Sequence, residues 1–244
     1  MKKCRVLILF VLVIFLLPGC AKAPSFPSVT EGLKTPEITT APAPTAVKDD
    51  VALIKYFEET YLPGYASATF ADLTNDGQNE LIVVELYGED GVTPIELSSV
   101  TDAADFTAGR VTVFSLIDGT VKAIYTRDAS NAHASWMELY LFTDKTGAYL
   151  IDYNPSVYQG FADYTYALFS LTASGDVSLK KSNAISFIIT SGKKGLSFTD
   201  ADGNDVSAAV AAFEAEAKSY IDHATPLLVY YEGVDGTVRF DFLR

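Results

Sequence analysis

Arg110-Val-Thr-Val-Phe-Ser-Leu-Ile-Asp118-Gly119-Thr-Val-Lys-Ala-Ile-Tyr-Thr126 is the stretch that decides the fold. Two runs rich in β-branched and aromatic residues meet at Asp-Gly, a dipeptide suited to a two-residue turn with both φ angles positive. The stretch reads as an antiparallel hairpin, and the pattern recurs on both sides of it. Strand-like runs at 66–71 and 80–87 flank an acidic turn. Runs at 137–143 and 148–153 flank Asp144-Lys145-Thr146-Gly147, and runs at 164–172 and 177–180 flank a Gly-Asp turn. Further runs follow at 184–190 and 196–199, with a closing strand at 239–243. Residues 226–231 are ambiguous.

Two segments read differently. In 49–61, apolar residues recur at Leu53, Ile54, Phe57 and Tyr61 behind two first-turn acids, and Pro63-Gly64 ends the pattern, so a helix is predicted. Residues 206–223 give a second helix with Val210, Phe213, Ala217, Tyr220 and Ile221 on one face, Ser207 as N-cap and Val206 as staple. About nine short strands between two helices make an α+β fold: an antiparallel β-sheet of several hairpins with a helix near each end of the folded domain.

The first fifty residues carry a different message. Lys2, Lys3 and Arg5 precede an apolar run from Val6 to Leu17, and Pro18-Gly19 breaks it. A basic head and a short apolar core form a secretory signal; a spanning helix needs about 20 residues. The run ends in Leu17-Pro18-Gly19-Cys20, which resembles the lipobox of bacterial lipoproteins. The resemblance implies a signal peptide over 1–19, cleavage after Gly19 and a diacylglyceryl thioether on Cys20, often with a third, palmitate-like acyl chain. Several chains anchor a protein stably to a membrane where one is marginal. Cys4 would leave with the signal, so no disulfide and no free thiol would remain. Residues 20–48 then form the lipidated cysteine and a Pro/Thr-rich tether, too poor in apolar surface to fold. A single extracytoplasmic domain over 49–244 follows.

Charge narrows the partners. The chain carries Lys+Arg 18 against Asp+Glu 31, a net charge of −13. That balance disfavours nucleic acid, whose phosphates require Lys and Arg. Fourteen Tyr and fifteen Phe suit strands and a filled core.

One stretch carries chemistry. Phe70-Ala-Asp72-Leu-Thr74-Asn-Asp76-Gly77-Gln78-Asn-Glu80-Leu places oxygen side chains at 72, 74, 76 and 80 around a glycine. Calcium takes six to eight oxygens at about 2.3–2.6 Å, and ligands on alternate residues of a tight loop turn toward one point. The stretch resembles the calcium loops of FG-GAP and integrin-type propeller blades, Asp-x-Asp/Asn-x-Asp-Gly-x-x-Asp between two strands. The match implies Asp72, Thr74, Asp76, Gln78 (by its carbonyl) and Glu80 as ligands. It also resembles the first part of an EF-hand loop, but Val83 stands where the bidentate Glu belongs and the run after Glu80 is strand-like. Thr74 and Glu80 depart from the propeller pattern and imply weaker binding. The same residues also suit a plain solvated acidic hairpin. More loosely, the chain resembles surface lipoproteins of Gram-positive bacteria, which implies location rather than activity.

Other features are weaker candidates. Asp200-Ala-Asp202-Gly-Asn-Asp205 offers acids just before a helix, where they also serve the helix dipole. His133 stands near Trp136, and His223 ends the second helix. No Gly-x-Ser-x-Gly, His-Glu-x-x-His or Walker pattern occurs. Tyr149, Tyr153, Tyr158, Phe161, Tyr164 and Tyr166 form either a strand core face or an exposed patch for sugars or a partner. The sequence thus predicts a membrane-anchored extracytoplasmic lipoprotein, a calcium-stabilised binding or interaction module for a protein or glycan ligand. The rival is a tethered hydrolase of cell-wall or glycan material using a carboxylate pair.

Overall fold

Strands with apolar residues on both faces need cover on both sides, and this chain supplies it with four layers. The computed structural model describes residues 48–130, 137–192, 195–232 and 238–244. In order they form α1 (Lys48–Thr60), β1 (Ala66–Ala71), β2 (Glu80–Tyr87), β3 (Ala108–Ile117), β4 (Thr120–Ser130), β5 (Met137–Asp144) and β6 (Gly147–Tyr158). Then come β7 (Phe161–Leu171), β8 (Val177–Gly192), β9 (Gly195–Thr199), α2 (Ser207–Ile221), β10 (Thr225–Glu232) and β11 (Val238–Phe242). The signal peptide, Cys20 and the tether lie outside the described residues, as do His133 and Trp136.

The deciding hairpin is β3–β4: the strands pair antiparallel, and Asp118 and Gly119 take φ of 51° and 73° at its turn. Every strand pair is antiparallel, so the α+β class holds. The strands divide into a four-stranded sheet, β1-β2-β3-β4, and a seven-stranded sheet, β11-β10-β5-β6-β7-β8-β9. The inner faces meet in one core that joins Ile82, Val84 and Val111 of the first sheet to Leu139, Leu150 and Leu228 of the second. The sheets approach closely at Gly109 of β3, where an added Cβ would fall 2.5 Å from Leu228 Cδ2.

Each outer face has its own helix. Leu53 of α1 is fully buried against Leu81, Val83 and Phe114, and the Tyr56 ring lies 5.0 Å from that of Phe114. Burying one such Leu is worth about 1.5–3 kcal/mol. Ile54, expected on this face, is 43% exposed; Tyr56 fills the place. On the second sheet, Val210, Phe213 and Ala217 of α2 pack on Tyr153, Tyr164 and Tyr166. The cap of α2 differs from expectation. Val206 is the N-cap residue without a side-chain bond, and Asp205 Oδ1 accepts from Ser207 N at 2.8 Å.

Two further corrections concern strands. The runs at 177–180 and 184–190 are one strand, β8, carried through a register shift opposite Leu168/Phe169. The ambiguous 226–231 segment is β10, a central strand between β5 and β11.

Candidate functional site

The predicted calcium loop joins β1 to β2. Asp72 Oδ1 accepts from Asp76 N at 3.1 Å, its Oδ2 from Gly77 N at 2.9 Å, and Asp76 Oδ1 from Gln78 N at 2.9 Å. Asn75 and Gly77 turn the chain with φ of 57° and 88°. Asp76 and Gln78 are exposed on the rim, while Asp72 and Thr74 are half-buried. Glu80 points the other way. Its side chain is fully buried, and its Oε2 accepts from Leu73 N at 2.7 Å and Thr74 N at 3.1 Å. Its Oε1 takes the hydroxyls of Thr74 and Ser115, both at 3.2 Å. Burial pushes this carboxyl above its ordinary value while those four donors pull it down. The candidate ligands therefore form two groups. Asp72 and Asp76 bond the amides of the outer turn, with Gln78 exposed beside them, and Thr74 and Glu80 are bonded to each other beneath it. Among the described residues, no three His, Cys, Asp or Glu side chains gather as a metal cluster.

The 200–205 acids serve a turn. Asp200 Oδ1 accepts from Asp202 N and Asn204 N, both at 2.9 Å, and Asp205 holds the start of α2. His223 follows α2, its N–H donating to Tyr220 O at 3.1 Å.

A second buried acid, unremarked in the sequence, lies on the outer face of the larger sheet. Glu138 of β5 is fully buried; Arg239 Nη2 of β11 donates to its Oε1 at 2.6 Å, and the Tyr140 hydroxyl donates to its Oε2. The Arg239 guanidinium lies 4.7 Å from the centre of the Tyr231 ring. Burial raises the Glu138 carboxyl; Tyr140 and Arg239 oppose the rise.

The larger sheet also outreaches the smaller one. On β6, the outward-facing series Tyr149, Ile151, Tyr153, Pro155, Val157 is apolar throughout, because α2 and its surroundings cover it. The opposite series begins with buried Ala148 and Leu150, then turns polar at Asp152, Asn154 and Ser156. On β7, Phe169 is core while Thr165 and Asp163 are exposed. On β8, Ser182, Ala184 and Ser186 continue the same rows and are exposed. The change falls where the smaller sheet ends. There Arg127 of β4 reaches across to Asp152 at 3.1 Å, and burial raises the Asp152 carboxyl against the pull of that arginine. At the far end Tyr158 and Phe161 stand opposite each other, 67% and 62% exposed, beside a Gln159-Gly160 turn with φ of 51° and 85°. The aromatic stretch thus splits: Tyr149, Tyr153, Tyr164 and Tyr166 are core, Tyr158 and Phe161 are surface. The polar switch along β6 was visible in the sequence, but it acquires meaning only when the width of the covering sheet is known.

No protein-family model matches the chain, no curated protein matches it, and no solved structure matches it.

Proposed function

We propose that the chain is a membrane-anchored extracytoplasmic lipoprotein whose folded domain is a calcium-stabilised binding module. Lipid on Cys20 holds it to the membrane, and the Pro/Thr-rich tether carries the domain away from the surface, on the outer face of a Gram-positive cell. The observation that carries the binding reading is the uncovered inner face of the larger sheet. Toward the far ends of β6, β7 and β8, the described residues on this side are largely polar and exposed or half-buried, at positions that nearer the core in the same strands are apolar. At the end of this face two exposed aromatic rings, Tyr158 and Phe161, stand side by side and offer apolar surface to a partner. Calcium belongs to this reading as a stiffener of the β1–β2 loop. Asp72, Asp76 and the Gln78 carbonyl supply hard oxygen donors on the outer side of the loop. Glu80, with all its bonds made inside, would hold the base of the loop rather than the ion.

Hydroxyl-radical footprinting tests the reading without knowledge of the ligand. The anchored protein on intact cells is compared with the purified lipoprotein in detergent, reading oxidation at Tyr158 and Phe161 against an exposed control just after α1, Leu62. Protection of the two rings on cells, with Leu62 unchanged, is the expected result. Equal labelling in both states refutes a binding role for this face.

A further inference from the structure

The uncovered face has a consistent chemistry that specifies its partner. Asn154 stands opposite Thr165, Ser156 opposite Asp163 and Tyr158 opposite Phe161, so three successive cross-strand pairs of β6 and β7 share one side of the sheet. Opposite residues in an antiparallel pair lie about 4.5–5.5 Å apart, which makes the pairs contiguous. Asp163, Thr165, Tyr158 and Phe161 are exposed, and Asn154 and Ser156 are half-buried. We propose that this face binds a neutral glycan chain, with Tyr158 and Phe161 stacking on sugar rings and Asp163, Asn154, Ser156 and Thr165 bonding their hydroxyls. The proposal rests on the binding-module reading and adds the class of ligand.

Three arguments select a glycan. The first is hydrogen-bond matching. A sugar hydroxyl both donates and accepts; Asp163 accepts, Asn154 does both through its amide, and the Ser156 and Thr165 hydroxyls rotate to either role. A partner rich in hydroxyls uses all of them. The second is charge. Among the described residues, the one cation bordering this face is Arg127, engaged with Asp152 at 3.1 Å. With Asp163 on the face, phosphate, sulfate and carboxylate partners meet repulsion and find no free counter-charge among its described residues. The third is composition. Protein interfaces are depleted in Ser and Asp at their cores, whereas the middle of this face is built from Asn154, Ser156, Asp163 and Thr165, with its two rings at one end. Those rings present flat apolar surfaces, which suit the C–H face of a pyranose. The platform is also preorganised: β7 is hydrogen-bonded on both sides, to β6 and to β8. A ligand arriving there orders little that is not already ordered.

The test uses the purified lipidated protein in detergent and saturation-transfer NMR. The probes are cellohexaose and chitohexaose as neutral chains, with polygalacturonate as the anionic control. Binding of a neutral chain is expected, with about tenfold weaker affinity in Tyr158→Ala and in Phe161→Ala, equivalent to about 1.4 kcal/mol. Asp163→Asn should weaken it less and leave the anionic control unbound. Preference for polygalacturonate overturns the proposal, as does neutral-chain binding indifferent to both aromatic substitutions. If both neutral chains fail to bind at millimolar concentration while the rings are protected on cells, the ligand class is wrong and the binding-module reading stands. If the rings are not protected either, both fall. Melting curves of each variant show that the fold is kept; both rings are largely solvent-exposed, so little stability is at stake.

Discussion

Arg239→Met isolates the cost of a buried carboxylate in this fold. Glu138 is fully buried, bonded to Arg239 Nη2 at 2.6 Å and to the Tyr140 hydroxyl. Methionine keeps much of the aliphatic stem and removes the charge. Removing one partner of a buried pair costs about 3–5 kcal/mol. The Arg239 side chain is 48% exposed, so solvent already screens part of its charge, and Tyr140 keeps one oxygen satisfied. We therefore expect a loss of about 2–3 kcal/mol at neutral pH. The pH dependence gives the mechanism. Burial raises the Glu138 carboxyl above its ordinary 4.5, with Arg239 opposing, so removal of Arg239 raises it further. A carboxyl raised on folding binds more protons in the folded state; its contribution is full below the unfolded pKa and is lost as pH rises through the folded one. The deficit of the variant should thus be greatest at neutral pH and shrink as pH falls toward the ordinary carboxylate range. Urea unfolding at about pH 7.5 and about pH 5 measures this, provided the slope is unchanged. Glu138→Gln combined with Arg239→Met should recover most of the neutral-pH loss, since a buried amide needs no counter-charge. A deficit below about 0.5 kcal/mol, or one equal at both pH values, would refute the reasoning.

Other outcomes follow from the same geometry. Melting of the wild type in millimolar calcium should rise by several degrees relative to EDTA, with no rise in magnesium, and Asp76→Ala should abolish the response; a ligand held only by the native state stabilises by about 2.7 kcal/mol at a hundredfold excess over Kd. Asp205→Ala should lower the urea midpoint by removing the cap on Ser207 N, while Ser207→Ala should lower it less. Cys20→Ala should eliminate incorporation of radiolabelled palmitate and release the protein from the membrane fraction.

What the sequence could reveal depended on how local the cause was. Asp118-Gly119 specifies its own turn, so the β3–β4 hairpin was legible from two residues and their flanks. The helix faces were legible to within one position, because Val210, Phe213 and Ala217 recur at the helical period and pack together. Where a distant partner decided the outcome, local pattern failed. β8 contains Lys180, Lys181, Ser182 and Asn183, which look like a break, yet β7 pairs with it on both sides of the register shift at Lys180. Ser207 looked like a cap, but Asp205 is better placed to reach its amide. The calcium-loop motif was fully visible; that Glu80 turns inward was not, because Ser115, one of its donors, lies 35 residues away.

The position of Glu80 bears on what calcium would do at this loop. The base of the β1–β2 loop is fixed without any ion. Leu73 is fully buried in the inner core, Leu171 N of the larger sheet donates to Leu73 O at 2.9 Å, and Glu80 holds the Leu73 and Thr74 amides. Asn75 lies so close to Gly147 that an added Cβ there would fall 2.1 Å from Asn75 Oδ1. Only the rim, Asn75 to Gln78, stands exposed. An ion bound there orders a few residues on a base that is already set, so its effect belongs to the scale of loop ordering rather than of folding. Small domains that fold only with metal lack a core of their own. This one has a core between two sheets and a helix on each outer face, so calcium at the loop would tune the domain rather than create it.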